Sequence, residues 1–184
     1  MAARVDYLAS DYDQRAHATG LRLDLQDLDL PDAHLDAVLS SGVVEHVPDT
    51  DAVLREVWRA LRPGGSLILL VPVLQGATAP PAEPEFHGDA TPVFWRFGPD
   101  LTARLREHGY DVALLCTADF ARHARAGRAG WLDVSGEFDA AGIVEAVDPG
   151  DLRVVLDDAG AERLGLTPGY MYLAWHARRP ASGA

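Results

Sequence analysis

Hydrophobic positions along the chain alternate between short continuous runs and stretches of helical period, a pattern that favours an α/β layer architecture over all-α or all-β ones. Val5 to Asp11 reads as a short strand ending in an acid, and Gly20 to Leu25 as a second short strand or extended segment. Leu35 to Ser41 is apolar enough to sit inside a parallel sheet. Pro48-Asp49-Thr50-Asp51 offers capping oxygens and acids for a helix N-terminus. Val53, Leu54, Val57, Trp58 and Leu61 then share one face. Arg62-Pro63-Gly64-Gly65 is expected to stop that helix before Ser66 to Pro72, whose unbroken hydrophobicity predicts a strand covered on both faces.

Gln75 to Pro84, rich in Ala and Pro, reads as a mobile loop. Pro99 to His108 has helical period with Gly109 at the C-terminal stop. Asp111 to Thr117 and Gly169 to Ala177 are the remaining strand candidates. Between them, a long insertion at about 118–168 has helical stretches around Ala118 to Ala126 and Ala159 to Leu164 and is a candidate lid or binding element. With no repeat and no clear boundary, residues 1–184 are expected to form a single domain.

Composition narrows the chemistry. The chain carries 16 basic and 28 acidic side chains, a net charge of −12. Every basic residue is arginine, which excludes a lysine Schiff base or lysine general base within it. No basic face is available to neutralise phosphates, so nucleic acid is not the expected partner. The longest apolar run, Leu67 to Leu74, is too short to span a bilayer. The residues after Met1 have no signal-peptide character, so no membrane and a cytoplasmic location are expected. Cys116 has no internal partner and, inside a predicted strand, reads as a small buried hydrophobe.

Asp24 to Leu39, which includes Pro31-Asp32-Ala33-His34-Leu35-Asp36, is followed by Val43-Val44-Glu45-His46-Val47 and then Leu61-Arg62-Pro63-Gly64-Gly65. In this order the three stretches resemble the class I S-adenosylmethionine (SAM)-dependent methyltransferase family, particularly its small-molecule branch, over roughly residues 5 to 117. The resemblance implies a Rossmann-like methyltransferase fold with a mostly parallel sheet and a C-terminal antiparallel strand. It implies SAM as cofactor, and O- or N-methyl transfer to a small molecule. It would place Asp11 on the ribose hydroxyls, and Asp24 with the backbone of Leu25 on the adenine edge. Ser40, Ser41 and Gly42 would line the mouth after the strand that precedes them. Each of these acids also has a bland reading as a solvated loop residue or helix cap. In the family the first strand ends in a G-x-G-x-G loop against the methionine of SAM. No such strand and loop precede Val5 in the sequence, so the expectation is a truncated fold lacking them, with an exposed sheet edge open to a second copy or a partner subunit.

Among the remaining residues, His46 is a candidate general base at the expected pocket mouth, because imidazole titrates near neutrality. The alternative is a histidine that caps or packs the helix start. Glu85 and His87 are further acid–base candidates. With Asp89 they alternate along a loop, but solubility or turn geometry explains such a set better than a metal, and none is expected. Phe94, Trp95 and Arg96 suit an aromatic or carboxylated substrate, with core packing of the aromatic pair as the other reading. No G-x-S-x-G elbow supports a serine triad. Three functions stay open: a SAM-dependent methyltransferase, an isomerase, cyclase or lyase that uses the same fold without SAM, and a non-catalytic subunit paired with another chain.

Overall fold

Leu35–Ser41 forms the first strand, β1, in a computed structural model that describes residues 6–12, 21–88, 90–128, 139–166 and 173–181. A one-turn 3-10 helix, Val44–His46, follows it. Helix α1, Thr50–Ala60, starts where the acids predict: the Asp49 carboxylate accepts from the Ala52 N–H at 2.9 Å, satisfying one of the orphan donors of a helix start. Val53, Leu54 and Val57 are buried, so the apolar face reads true, while Trp58 is only half-buried.

Strand β2, Leu61–Leu70, begins directly after α1. The Arg62–Gly65 segment therefore lies within the strand as its irregular start instead of forming a separate turn. The β1 register shifts opposite it, from Leu35↔Leu61 to Ala37↔Ser66. Only glycine suits the shift: Gly64 has φ +85, and a Cβ on Gly65 would sit 2.9 Å from the Arg62 carbonyl oxygen and 3.1 Å from that of Asp36. A two-stranded antiparallel hairpin follows, β3 (Glu85–Phe86) with β4 (Pro92–Val93). After it come α2 (Leu101–Glu107), β5 (Asp111–Thr117), α3 (Ala118–Arg125), α4 (Ala140–Ala146), β6 (Leu152–Leu156), α5 (Asp158–Arg163) and β7 (Leu173–Arg178).

The five-stranded sheet has the order β1-β2-β7-β5-β6. Pairs β1–β2 and β5–β6 are parallel, and β7 runs antiparallel to both β2 and β5. The expected mostly parallel sheet with a C-terminal antiparallel strand is thus the observed one. One apolar cluster joins the sheet to the helices, taking in Leu54 and Val57 of α1, Leu105 of α2, Phe120 of α3 and Ile143 of α4.

Several expectations need correction. Within Val5–Asp11 and Gly20–Leu25, the described residues form no strand. Asp11 and Arg22 make one isolated parallel bridge, and Asp24 bridges only to Asp27. Leu23 and Leu25 still pack on the core, so the extended-segment reading of the second stretch holds. A ladder requires a flanking strand, and the outer edge of β1 has none among the described residues. The C-terminal strand starts at Leu173, with residues 169–172 outside those described. The Gln75–Pro84 loop is pinned: Ala79 bridges Arg96, and the Asp100 carboxylate accepts from the Thr78 N–H and hydroxyl. Within 118–168, α3 and α5 match the helical stretches. Helix α4 and strand β6 were not foreseen, although the Val154-Val155 pair of β6 is a β-branched signal.

Two charged groups hold the helices. Arg179 donates from Nη1 to the carbonyls of Trp58, Arg59 and Leu61 at 2.9, 3.2 and 2.7 Å, with its guanidinium carbon 3.7 Å from the Trp58 ring centroid. It closes the C-terminus of α1, where the helix dipole is negative. Replacing Arg179 by Ala should cost about 2 kcal/mol, the scale of hydrogen bonds to a charged group. Denaturant unfolding measures this, and an unchanged midpoint would show that solvent satisfies those carbonyls equally well.

Asp51, in the first turn of α1, accepts from Arg104 Nε at 2.8 Å and lies 2.9 Å from His108 Nε2. The Arg104 hydrogen bond, aided by His108 and opposed by partial burial, holds its carboxyl well below the usual carboxylate range. A carboxyl lowered on folding adds stability above its unfolded pKa of about 4, and that stability is lost as the pH falls below it. Asp51→Asn should therefore destabilise by about 1 kcal/mol at pH 7, a modest figure because the pair is partly solvent-screened. The gap to the wild type should shrink as unfolding is followed into the acid range.

Candidate functional site

The C-terminal end of a parallel strand is where α/β sheets gather ligands, and the chain leaves β1 there through Gly42. This residue has φ +63, and its N–H donates to the Leu70 carbonyl at 3.0 Å. That turn carries the chain off the sheet into Val44–His46. The Glu45 carbonyl accepts from the N–H groups of Phe94 at 2.8 Å and Trp95 at 3.3 Å. Trp95 Nε1 in turn donates to the Pro48 carbonyl at 3.0 Å. The 3-10 turn is thus clamped against the segment that follows β4.

Three titratable side chains meet here. The Glu45 side chain is only 3% exposed, and its Oε2 is buried without a hydrogen-bond partner. Burial pushes its carboxyl up, opposed by a backbone hydrogen bond and by the neighbouring His46 and His87. His46 Nδ1 is 2.7 Å from the Pro92 carbonyl oxygen. A carbonyl only accepts, so Nδ1 carries the proton and, in the neutral ring, Nε2 keeps its lone pair. That Nε2 is 3.9 Å from Glu45 Oε1. The His87 ring stands edge-on to His46 with centroids 4.6 Å apart. Its loop is closed by the His87 N–H donating to Thr91 and the Ala90 N–H donating to His87.

Of the acid–base candidates, His46 and His87 come together. Glu85 instead accepts from Arg96 Nε at 2.7 Å, which also occupies the guanidinium expected beside the aromatic pair. Asp89 lies outside the described residues. Phe94 is 38% exposed, so core packing does not explain it, whereas Trp95 is half-buried against the core with Arg104 over its ring at 5.6 Å. Cys116 is buried and its thiol is pushed up to about 11 by burial, as the small-hydrophobe reading requires. Glu45 is a functional candidate that the sequence pattern does not announce. Its signal is a glutamate framed by Val43, Val44 and Val47, whose apolar neighbours carry it into the core.

Ser40 and Ser41 end β1 and Gly42 follows them, with Ser40 Oγ buried and without a partner. The adenosine-side candidates are arranged less favourably. Asp24 Oδ1 accepts from the Gln26 N–H at 2.9 Å and lies 3.4 Å from its side-chain amide, so the carboxylate caps its own turn, and Leu25 packs on the core. Asp11 exchanges backbone hydrogen bonds with Leu21 and Leu23 and is not set at a strand end. No two glycines of the 184 residues are separated by a single residue, so the sequence holds no G-x-G-x-G loop of the kind that meets the methionine of SAM in this family. The described residues do not by themselves fit SAM. Nor do three or more His, Cys, Asp or Glu side chains converge as a metal site among them.

Parts of the chain are similar to known proteins. Residues 3–69 match the methyltransferase domain family. The chain is 48% identical over 44 residues to arsenite methyltransferase of Aquipseudomonas alcaligenes, which is 24% of this chain and 13% of that protein. It is 49% identical over 47 residues to the ubiquinone/menaquinone biosynthesis C-methyltransferase UbiE of Caulobacter sp. strain K31, 26% of this chain and 19% of that one. The matched stretches thus span less than a fifth of these relatives' lengths. Among solved structures, the chain is similar to the 1,6-didemethyltoxoflavin-N1-methyltransferase of Burkholderia thailandensis, with 16% identity and a TM-score of 0.48, covering 93% of this chain and 60% of that one.

Proposed function

We propose, from the match of residues 3–69 to the methyltransferase domain family, that this chain is a class I SAM-dependent methyltransferase, an enzyme acting on a small molecule by O- or N-methyl transfer. The acceptor sits at the C-terminal end of β1. The observation that carries the reading is the Nε2 lone pair of His46, left available because Nδ1 is committed to Pro92. An acceptor O–H or N–H placed there gives its proton to Nε2, and the imidazolium so formed lies beside the Glu45 carboxyl. Positioning supplies the rest of the effect. His87 extends the same acid–base surface toward solvent. Phe94, exposed next to this turn, supports an acceptor with an apolar or aromatic portion. We read residues 118–168 as an insertion within a single domain. No helix among the described residues is long and apolar enough to cross a membrane; the cytoplasmic setting is part of the proposal.

A second reading draws on the poor fit to SAM: the same histidines serve an isomerase, cyclase or lyase by proton transfer alone. In both readings the outer edge of β1 is free among the described residues, and Leu39 on it is 66% exposed. An unpaired apolar edge is a template for a further strand, so we place a second copy or a partner subunit there. Sedimentation should then show association that Leu39→Lys weakens, and a monomer at every concentration would remove the edge from the proposal.

His46→Gln should lower turnover about 10²- to 10⁴-fold, the usual worth of a positioned base, with the fold intact by circular dichroism. Calorimetric titration with SAM then separates the readings. Saturable one-to-one heat supports methyl transfer, and no heat beside retained acid–base turnover supports the second. Undiminished turnover in His46→Gln would end both.

A further inference from the structure

The reading of His46 as proton acceptor leaves Glu45 unexplained. A carboxyl costs free energy when it is buried with one oxygen unpartnered, and such a group persists in a fold only where something else depends on it. Its surroundings are specific. On its own turn it faces His46, and from the loop between β3 and β4 it faces His87. The other charged pair on that side, Glu85 with Arg96, is closed on itself at 2.7 Å. Gly42, directly after β1, has a Cβ position that would be 3.7 Å from Glu45 Oε1. Asp49, at the start of α1, is engaged by the Ala52 N–H.

We propose that Glu45 is a positioning residue for His46, its buried carboxylate balancing the proton that His46 gains 3.9 Å from Oε1, with the His87 ring packed edge-on against the same imidazole. When His46 Nε2 takes the proton of an acceptor O–H or N–H, that bond alone breaks and one N–H forms. The positive charge created lies 3.9 Å from Oε1, in a setting where solvent screens weakly. The three charge states are therefore linked: each protonated histidine favours an ionised Glu45, and an ionised Glu45 favours protonated histidines. The direction found for Glu45, raised by burial and drawn down by both histidines, agrees with this. The inference rests on the reading of His46 as the proton acceptor, yet the coupling is a property of the chain without any substrate.

Nuclear magnetic resonance titration of the histidine rings in the full chain, with no ligand added, tests it directly. In Glu45→Gln, which keeps the size of the side chain, the His46 midpoint should fall by about one pH unit, the scale set by losing an opposite charge at this range. His87→Asn lies on an exposed loop and spares the core, and it should move the His46 midpoint upward. It serves as the arm to read if Glu45→Gln fails to fold. A purely structural Glu45 would leave the midpoints where they are, and unchanged midpoints in the folded variants would overturn the proposal. Failure of SAM to bind, or loss of the methyl-transfer reading, would leave the shifts intact, so the two ideas fail separately.

Discussion

The pairing of β7 on both of its edges is the constraint on which the rest of the molecule depends. Two parallel pairs, β1–β2 and β5–β6, each leave a row of backbone donors and acceptors along an inner edge, and such groups must be satisfied once buried. The C-terminal strand enters between them in the opposite direction and satisfies both rows, from Ser66↔Arg178 on one side to Cys116↔Leu173 on the other. Its side chains are among the best buried in the protein, and Trp175 donates from Nε1 to the Thr102 hydroxyl at 2.9 Å, tying α2 to the centre of the sheet. Arg179, immediately after the strand, then closes the end of α1.

This arrangement also fixes where chemistry can gather. With β7 filling the middle of the sheet, the open end near β1 is shaped by the turn that Gly42 permits and by the clamp of Phe94 and Trp95 on the Glu45 carbonyl. That clamp draws the β3–β4 hairpin over the turn. His87, about forty residues away in sequence, is thereby brought against His46. The buried carboxyl beneath them follows from the same packing: a turn pressed onto the core by Val44 has no route by which Glu45 can reach water. The electrostatics of the site are thus a product of the clamp as much as of the residues it holds.

The segment before β1 is held by charge where it lacks a ladder. Arg59 donates to the Leu28 and Leu30 carbonyls and to Asp32 and Glu56, each within 3.1 Å, and Leu28 N–H in turn donates to Glu56 at 3.1 Å. This explains why a stretch with the alternation of a strand stays ordered as an extended segment. One face of leucines packs on the core, and the backbone of 28–30 is satisfied by a helix side chain instead of a neighbouring strand.

Local signals in the sequence were enough for β1, α1, α2 and β5, because each is announced by a continuous apolar run or by a capped helical period that neighbouring residues enforce. Pattern marked the C-terminal strand and family resemblance its antiparallel direction, and His46 and His87 were legible as imidazoles suited to proton transfer. Other features needed the tertiary structure. Glu85 and His87 look equivalent along the chain, yet Arg96 claims the first and the hairpin delivers the second to His46. The alternation at Leu21–Leu25 could not reveal that, among the described residues, no partner strand lies beside it. Glu45 carries no local mark of function beyond its valine neighbours. Its significance comes from burial and from a charge brought over by a separate hairpin. Sequence by itself determined which segments could be regular and which side chains could move a proton. Only the packing decided which of them meet, because hydrogen-bond pairing and desolvation act between residues that the chain order keeps apart.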